Sequence, residues 1–134
     1  MRVLVTGGAG FIGSHTVVAL IEAGHEVVIV DNLSNALPSV LARIAKLTDV
    51  EPEFHEADIR DRDAMTRLAG SGIEACIHFA ALKAVGESVA KPLEYYDNNV
   101  RGTIDLLAAL AGAGVRNLVF SSSATVYGEP KELP

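Results

Sequence analysis

Short apolar runs and longer helix-patterned stretches alternate along the chain. Runs rich in Val, Ile and Phe at 3–5, 26–30, 53–56, 75–79 and 118–121 predict buried strands. In the third of these only Phe54 is strongly apolar. Residues 11–23 carry Ile12, Val17, Leu20 and Ile21 at helical spacing, and Gly24 stands where a left-handed helix cap belongs. Further helices are predicted over 39–47, from an Asp61 N-cap to Gly70, and over 95–113, closed by Gly114. Five strands alternating with four helices predict an α/β fold, a doubly wound parallel sheet with helices on both faces. Residues 122–134, with Gly128, Pro130 and Pro134, read as loop, where such a sheet ordinarily continues into a sixth strand. The expectation is therefore one domain over 1–134, truncated after strand five, forming the front of a larger protein. Its uncovered fifth strand is expected to invite association with another chain.

Composition narrows the class. The chain has 134 residues, 49% hydrophobic and 21% charged, which suits a globular domain with a real core. The net charge is −6 and there is no basic cluster, so neither a nucleic acid nor an anionic membrane is an expected partner. No apolar run reaches the roughly 18 residues of a membrane span, and no cleavable signal follows Met1. With a single cysteine, Cys76, no intrachain disulfide can form, and a cytoplasmic location is expected. Cys76 and His78 alternate on the fourth predicted strand, share a face and read as core. His15, His25 and His55 have no partners at metal-ligand spacing, so no metal site is expected.

The strongest chemical signal is Thr6-Gly7-Gly8-Ala9-Gly10-Phe11-Ile12-Gly13, which follows one predicted strand and opens a predicted helix. Gly7, Gly10 and Gly13 have the spacing of a Rossmann dinucleotide turn. They serve a tight turn, backbone approach to a pyrophosphate and close helix–strand packing. The helix amino end offers free N–H groups to the phosphates. Asp31, at the end of the second strand, can accept from a ribose 2′-hydroxyl and would repel a 2′-phosphate, and no Lys or Arg occurs over 32–40. The cofactor implied is NAD rather than NADP. A phosphoryl-transfer loop fits poorly, because Ser14 and His15 stand where that motif needs Lys followed by Ser or Thr.

The glycine turn, Asp31-Asn32-Leu33, Asp58-Ile59-Arg60 and the 78–88 run resemble the extended short-chain dehydrogenase/reductase superfamily. The 91–100 run and Ser121-Ser122-Ser123-Ala124-Thr125-Val126-Tyr127-Gly128 narrow the resemblance to its UDP-glucose 4-epimerase family. The resemblance implies tightly held NAD, a UDP-hexose substrate, transient oxidation at the sugar C4 and a homodimer. It implies that Phe11 and Ile12 line the pyrophosphate turn. Asp31, Asn32, Leu33, Ser34, Asn35 and Ala36 would surround the adenosine ribose, and Asp58 and Ile59 would meet the adenine. Phe79, Ala80, Ala81, Leu82 and Lys83 would run beside the nicotinamide half, with Asn98 nearby. Ser123 would be the catalytic hydroxyl. The helix containing Leu106, Leu107, Ala109 and Leu110 would lie in the dimer interface.

The resemblance also implies a Tyr-x-x-x-Lys pair well beyond Ser123. Tyr127 and Lys131 match in letters, but Gly128 and Pro130 between them disfavour the helix that would bring phenol and ammonium together. Residues 1–134 alone are therefore expected to be inactive. A nucleotide-sugar 4,6-dehydratase or decarboxylase is the nearest alternative, though Ser122 to Thr125 offer none of the acidic residues it needs. A non-catalytic NAD-binding module is the alternative of another class.

Overall fold

In the computed structural model, residues 1–123, Val126 and Gly128 are described. Five strands, β1 (Arg2–Thr6), β2 (Glu26–Asp31), β3 (Glu53–Glu56), β4 (Ala75–His78) and β5 (Asn117–Phe120), form one sheet in the order β3-β2-β1-β4-β5. Every pairing is parallel, with Val3 opposite both Val27 and Ala75. Each parallel connection needs a crossover, and helices α1 (Phe11–Glu22), α2 (Ser39–Thr48) and α3 (Arg62–Ala69) supply the first three. This is the doubly wound architecture that the alternation of runs predicts.

The two-residue period of the strands divides the core. Leu4, Val28, Val30 and Cys76 point to one face and pack with Met65 and Leu68 of α3 and with Leu106 and Leu110 of α6 (Gly102–Gly112). Val3, Val5, Val27 and Ile29 point to the other, with Val17 of α1 and Ile44 of α2. The central strands β1 and β2 are buried on both faces, hence their continuous apolar runs. β3 lies at an edge and is only half-buried, which explains why Phe54 is its single strong apolar residue. Asp61 caps α3 as expected, its carboxylate accepting the Ala64 N–H at 3.0 Å. Gly24 takes the left-handed conformation past the end of α1, at φ +80°.

A short helix not expected from the sequence, α4 (Val85–Ala90), comes first. The helix expected over 95–113 then starts earlier, as α5 (Pro92–Tyr96), and runs through a π-helical turn (Asp97–Arg101) into α6 with every junction residue in the right-handed helical region. Pro92 has no N–H, and the residue before a proline is pushed out of the helical region. Lys91 accordingly sits at φ −131°, ψ 54°, and a new helix starts with Pro92 in its first turn. No residue of α4 is buried, so no face packed in the core imposes a helical period on it. α6 has two faces. Leu106, Ala109 and Leu110 face this chain's own core, while Ile104 and Leu107 of the expected interface helix are exposed. The expected loop over 122–134 lies largely outside the described residues.

All four residues of β5 are exposed, as expected for an uncovered edge strand, with Val119 at 60% and Phe120 at 55%. A groove of about 450 Å³ runs along its α1 side between Leu20, Ala75, Ile77, Leu118 and Val119. Leu106 is fully buried in the opposite layer. Leu106→Ala is expected to lower unfolding free energy by about 2–5 kcal/mol, through lost transfer energy and the cavity left behind. Urea denaturation monitored by circular dichroism measures it, and a loss under about 1 kcal/mol would show that α6 is not the core helix.

Candidate functional site

The strand order reverses at β1: β2 and β3 build outward on one side, β4 and β5 on the other. At such a switch point the connections after two neighbouring strands leave to opposite faces and open a crevice at the carboxyl edge. The glycine turn follows β1 and residues 79–84 follow β4, so both lie at that edge.

The turn tolerates no side chain at its critical positions. Gly7 has φ +71°, and a Cβ there would lie 2.7 Å from the Ala80 nitrogen and 2.9 Å from the Phe79 carbonyl carbon. A Cβ on Gly13 would fall 2.2 Å from the Gly7 oxygen, so the first turn of α1 packs directly on the loop. At Gly10, the N-cap, the nearest atom to an added Cβ is 3.2 Å away, and no side chain caps the helix. The tight-turn and packing roles thus fall to Gly7 and Gly13, and the amino end of α1 is left without a side-chain cap. Phe11 and Ile12 are exposed beside it.

Asp31 ends β2 and is buried, its two carboxylate oxygens accepting the Ala9 N–H at 3.1 Å and the Leu33 N–H at 2.9 Å. It therefore ties the glycine turn to the loop after β2. Leu33 takes φ +56° in that loop, and Asn32, Ser34 and Asn35 are exposed while Ala36 is half-buried. Asn32 donates to Asp58 at 3.0 Å. Asp58 also accepts from the Arg60 backbone and from its guanidinium on both oxygens, at 2.7–2.9 Å. These bonds, the Arg60 side chain foremost, hold the Asp58 carboxyl well below the usual carboxylate range. Ile59 is 4% exposed and packs against Gly102, so only its main chain is open to a ligand.

Phe79, Ala80 and Leu82 are half-buried, and Ala81 and Lys83 are exposed. Asn98 is buried in the π-helical turn and donates to Asn99 at 2.9 Å. Ser123 is exposed beyond the end of β5, and its carbonyl accepts the Val126 N–H at 3.2 Å. Ala124, Thr125, Tyr127 and Lys131 lie outside the described residues.

Several residues that sequence reasoning passed over join these pieces. Arg60 also pairs with Asp97 at 2.8 Å, and Asp97 with Arg101, linking the loop after β3 to the π-helical turn. Flanked by the two arginines, the Asp97 carboxyl is lowered to about 2. Asn99 accepts the Leu82 N–H and donates to the Leu82 carbonyl, both at 2.8 Å. The run Asp97-Asn98-Asn99, poor in helix propensity inside an expected helix, was the available signal.

His78 is core, as expected, and has two partners: buried Thr6, whose Oγ1 lies 2.6 Å from Nδ1, and half-buried Thr103, whose Oγ1 lies 3.0 Å from Nε2. Thr103 donates its one proton to the Asn99 carbonyl at 2.6 Å. Nε2 must then be the donor to Thr103, and Nδ1 the acceptor from Thr6. Burial pushes the His78 pKa down to about 4. An unfolded histidine titrates near 6.5, so on acidification the unfolded chain takes up this proton first. The contribution of the neutral ring to stability is full above about pH 6.5 and is lost as pH falls toward 4, on the order of 3 kcal/mol in all. Nuclear magnetic resonance should show the ring still neutral at pH 5, and His78→Gln should remove this share of the pH slope in urea unfolding. A ring titrating near 6.5 would refute the assignment.

The profile of the NAD dependent epimerase/dehydratase family matches residues 3–134. The whole chain is 60% identical to a UDP-glucose 4-epimerase of Klebsiella pneumoniae, spanning 97% of that sequence, and 61% identical to one of Yersinia pestis, spanning 40%. Among solved structures, a UDP-glucose 4-epimerase of Stenotrophomonas maltophila with bound NAD and formylated UDP-arabinopyranose superposes with a TM-score of 0.97 at 56% identity. One from Bifidobacterium longum in complex with NAD+ and UDP gives 0.95 at 51%. This chain is covered entirely in both comparisons and spans 40% of each of those chains.

Proposed function

The chain belongs to the NAD dependent epimerase/dehydratase family, and on that footing we propose that it is the NAD-binding part of an enzyme interconverting UDP-glucose and UDP-galactose. The observation that carries the reading is the glycine turn. Gly7 and Gly13 admit no Cβ, and the N-cap of α1 carries no side chain that would occupy an anion's position. The residues present thus fit a dinucleotide's pyrophosphate, against the main chain of Gly10, Phe11 and Ile12. Asp31, with residues 32–36, would take the adenosine ribose, and Asp58 with the Ile59 main chain the adenine. Residues 79–83 and Asn98 would flank the nicotinamide half.

When bound, NAD supplies reversible hydride acceptance, which allows the sugar C4 centre to be oxidised and then reduced on its opposite face. Ser123 would hydrogen-bond the sugar 4-hydroxyl and assist removal of its proton. A phenol held beside a lysine on one helix face would be a stronger base than a serine hydroxyl. No Tyr-x-x-x-Lys sequence occurs among residues 1–123, and Tyr127 and Lys131 are separated by Gly128 and Pro130. We therefore expect residues 1–134 to bind cofactor without turning over substrate. Homodimerisation is supported by the exposed apolar side chains of α4 to α6, among them Val89, Leu93, Ile104 and Leu107.

Calorimetric titration with NAD and NADP tests the cofactor. NAD is expected to bind at least about 10-fold more tightly, because the Asp31 carboxylate repels a 2′-phosphate. Asp31→Asn keeps one acceptor for the loop amides and removes the charge, so the gap should narrow. Equal affinities in the unsubstituted chain would overturn the reading.

Conversion of UDP-galactose to UDP-glucose with NAD added tests the chemistry. No turnover is expected from residues 1–134. Turnover abolished by Tyr127→Phe would identify Tyr127 as the base after all.

A further inference from the structure

Lys83 sits in a stretch without regular structure, yet the residues on either side of it are held at their main chain by two side chains one helical turn apart. Asn99 grips Leu82 through both peptide groups, accepting its N–H and donating to its carbonyl at 2.8 Å each. Tyr95, buried at 9% exposure, accepts the Ala84 N–H at 3.1 Å. Its O–H lies 3.0 Å from both the Ala84 carbonyl and a Glu87 carboxylate oxygen, the two acceptors open to its single proton. Burial, then the Glu87 carboxylate, raises the pKa of this phenol, so it stays protonated and able to donate.

Both anchors are themselves fixed. Tyr95 belongs to α5, and Asn99 to the π-helical turn that continues it. Within this turn Asn98 donates to the Asn99 oxygen that also accepts from Leu82. The Asn99 carbonyl accepts from Thr103, which in turn bonds His78 at the end of β4. Single extra-residue turns of this kind recur at functional sites because they re-aim side chains that a regular helix would stack apart. Lys83 itself is exposed and forms no ion pair among the described residues.

We propose that Asn99 and Tyr95 are positioning residues which clamp the main chain on both sides of Lys83 and so aim its ammonium at the distal half of the dinucleotide. The proposal rests on the cofactor reading given above. A flexible lysine loses substantial rotamer and backbone entropy on engaging a ligand, and a clamped backbone has already lost its share.

Two measurements test it on the 134-residue chain. In the free protein, amide exchange followed by nuclear magnetic resonance should be at least about 10-fold faster at Leu82 in Asn99→Ala and at Ala84 in Tyr95→Phe, with Ile29 in the sheet unchanged. With ligand, Asn99→Ala and Tyr95→Phe should each weaken NAD by about 10-fold while leaving AMP, which lacks the distal half, unchanged. Combined with Lys83→Met, either substitution should cost less than about 2-fold further, since its effect runs through the lysine. Asn99→Asp, which keeps the acceptor for Leu82 and loses the donor, should fall between. Tyr95→Phe keeps the buried ring and carries the test if Asn99→Ala fails to fold.

Unchanged exchange at Leu82 and Ala84, equal weakening of NAD and AMP, or full additivity with Lys83→Met would each overturn the positioning role. No NAD binding by the unsubstituted chain would overturn the cofactor reading itself. That result is distinct from tight NAD binding left untouched by the substitutions, which overturns positioning alone.

Discussion

At the carboxyl edge of β1 and β4, two stretches of main chain run so close together that one added carbon on Gly7 would lie 2.7 Å from the Ala80 nitrogen. A second contact of the same kind presses Gly13 of α1 onto Gly7. These approaches set how near α1 lies to the sheet and therefore where its amino end points. They occur where the strand order reverses, so the crevice of the parallel sheet and the positive end of the helix dipole coincide. A Cβ at either position would force backbone apart from backbone, with no flexible side chain available to give way.

Around that junction the polar interior is organised as a chain of neutral hydrogen bonds. Thr6 ends β1, His78 ends β4, and Thr103 and Asn99 extend the chain to the loop that holds Leu82. Each buried partner is satisfied, so the chain specifies one arrangement instead of leaving costly orphans. Asp31 does similar service on the other side, accepting from Ala9 and Leu33 and so coupling the glycine turn to the loop after β2.

A second set of contacts, the alternating Asp58, Arg60, Asp97 and Arg101, runs along the rim. These groups are partly exposed, so each pair contributes little to stability. Their effect is geometric: the bidentate grip of Arg60 on Asp58 and its reach to Asp97 fix the loop after β3 relative to the π-helical turn. The rim thereby carries shape from one edge of the sheet to the helices beside its centre.

Hydrophobic periodicity, turn glycines and the Asp61 cap were enough to read five parallel strands, the first three crossover helices and the glycine turn, because each depends on residues close in sequence. The acidic residue closing β2 was legible for the same reason, since a strand end sets its location. The short helix α4 was not read, because it has no buried face to impose a period. The early start at Pro92 and the π-helical turn at Asp97-Asn98-Asn99 were not read either, although those residues carried their signal. Which face of α6 meets the core was likewise open, as Leu106 and Leu107 look alike in sequence and only packing on Leu4 and Met65 distinguishes them. The second partner of Asp31, the tautomer of His78 and the grip of Asn99 on Leu82 join residues 17 to 72 positions apart. Such contacts exist only once the sheet has brought strand ends together, and no local pattern encodes them.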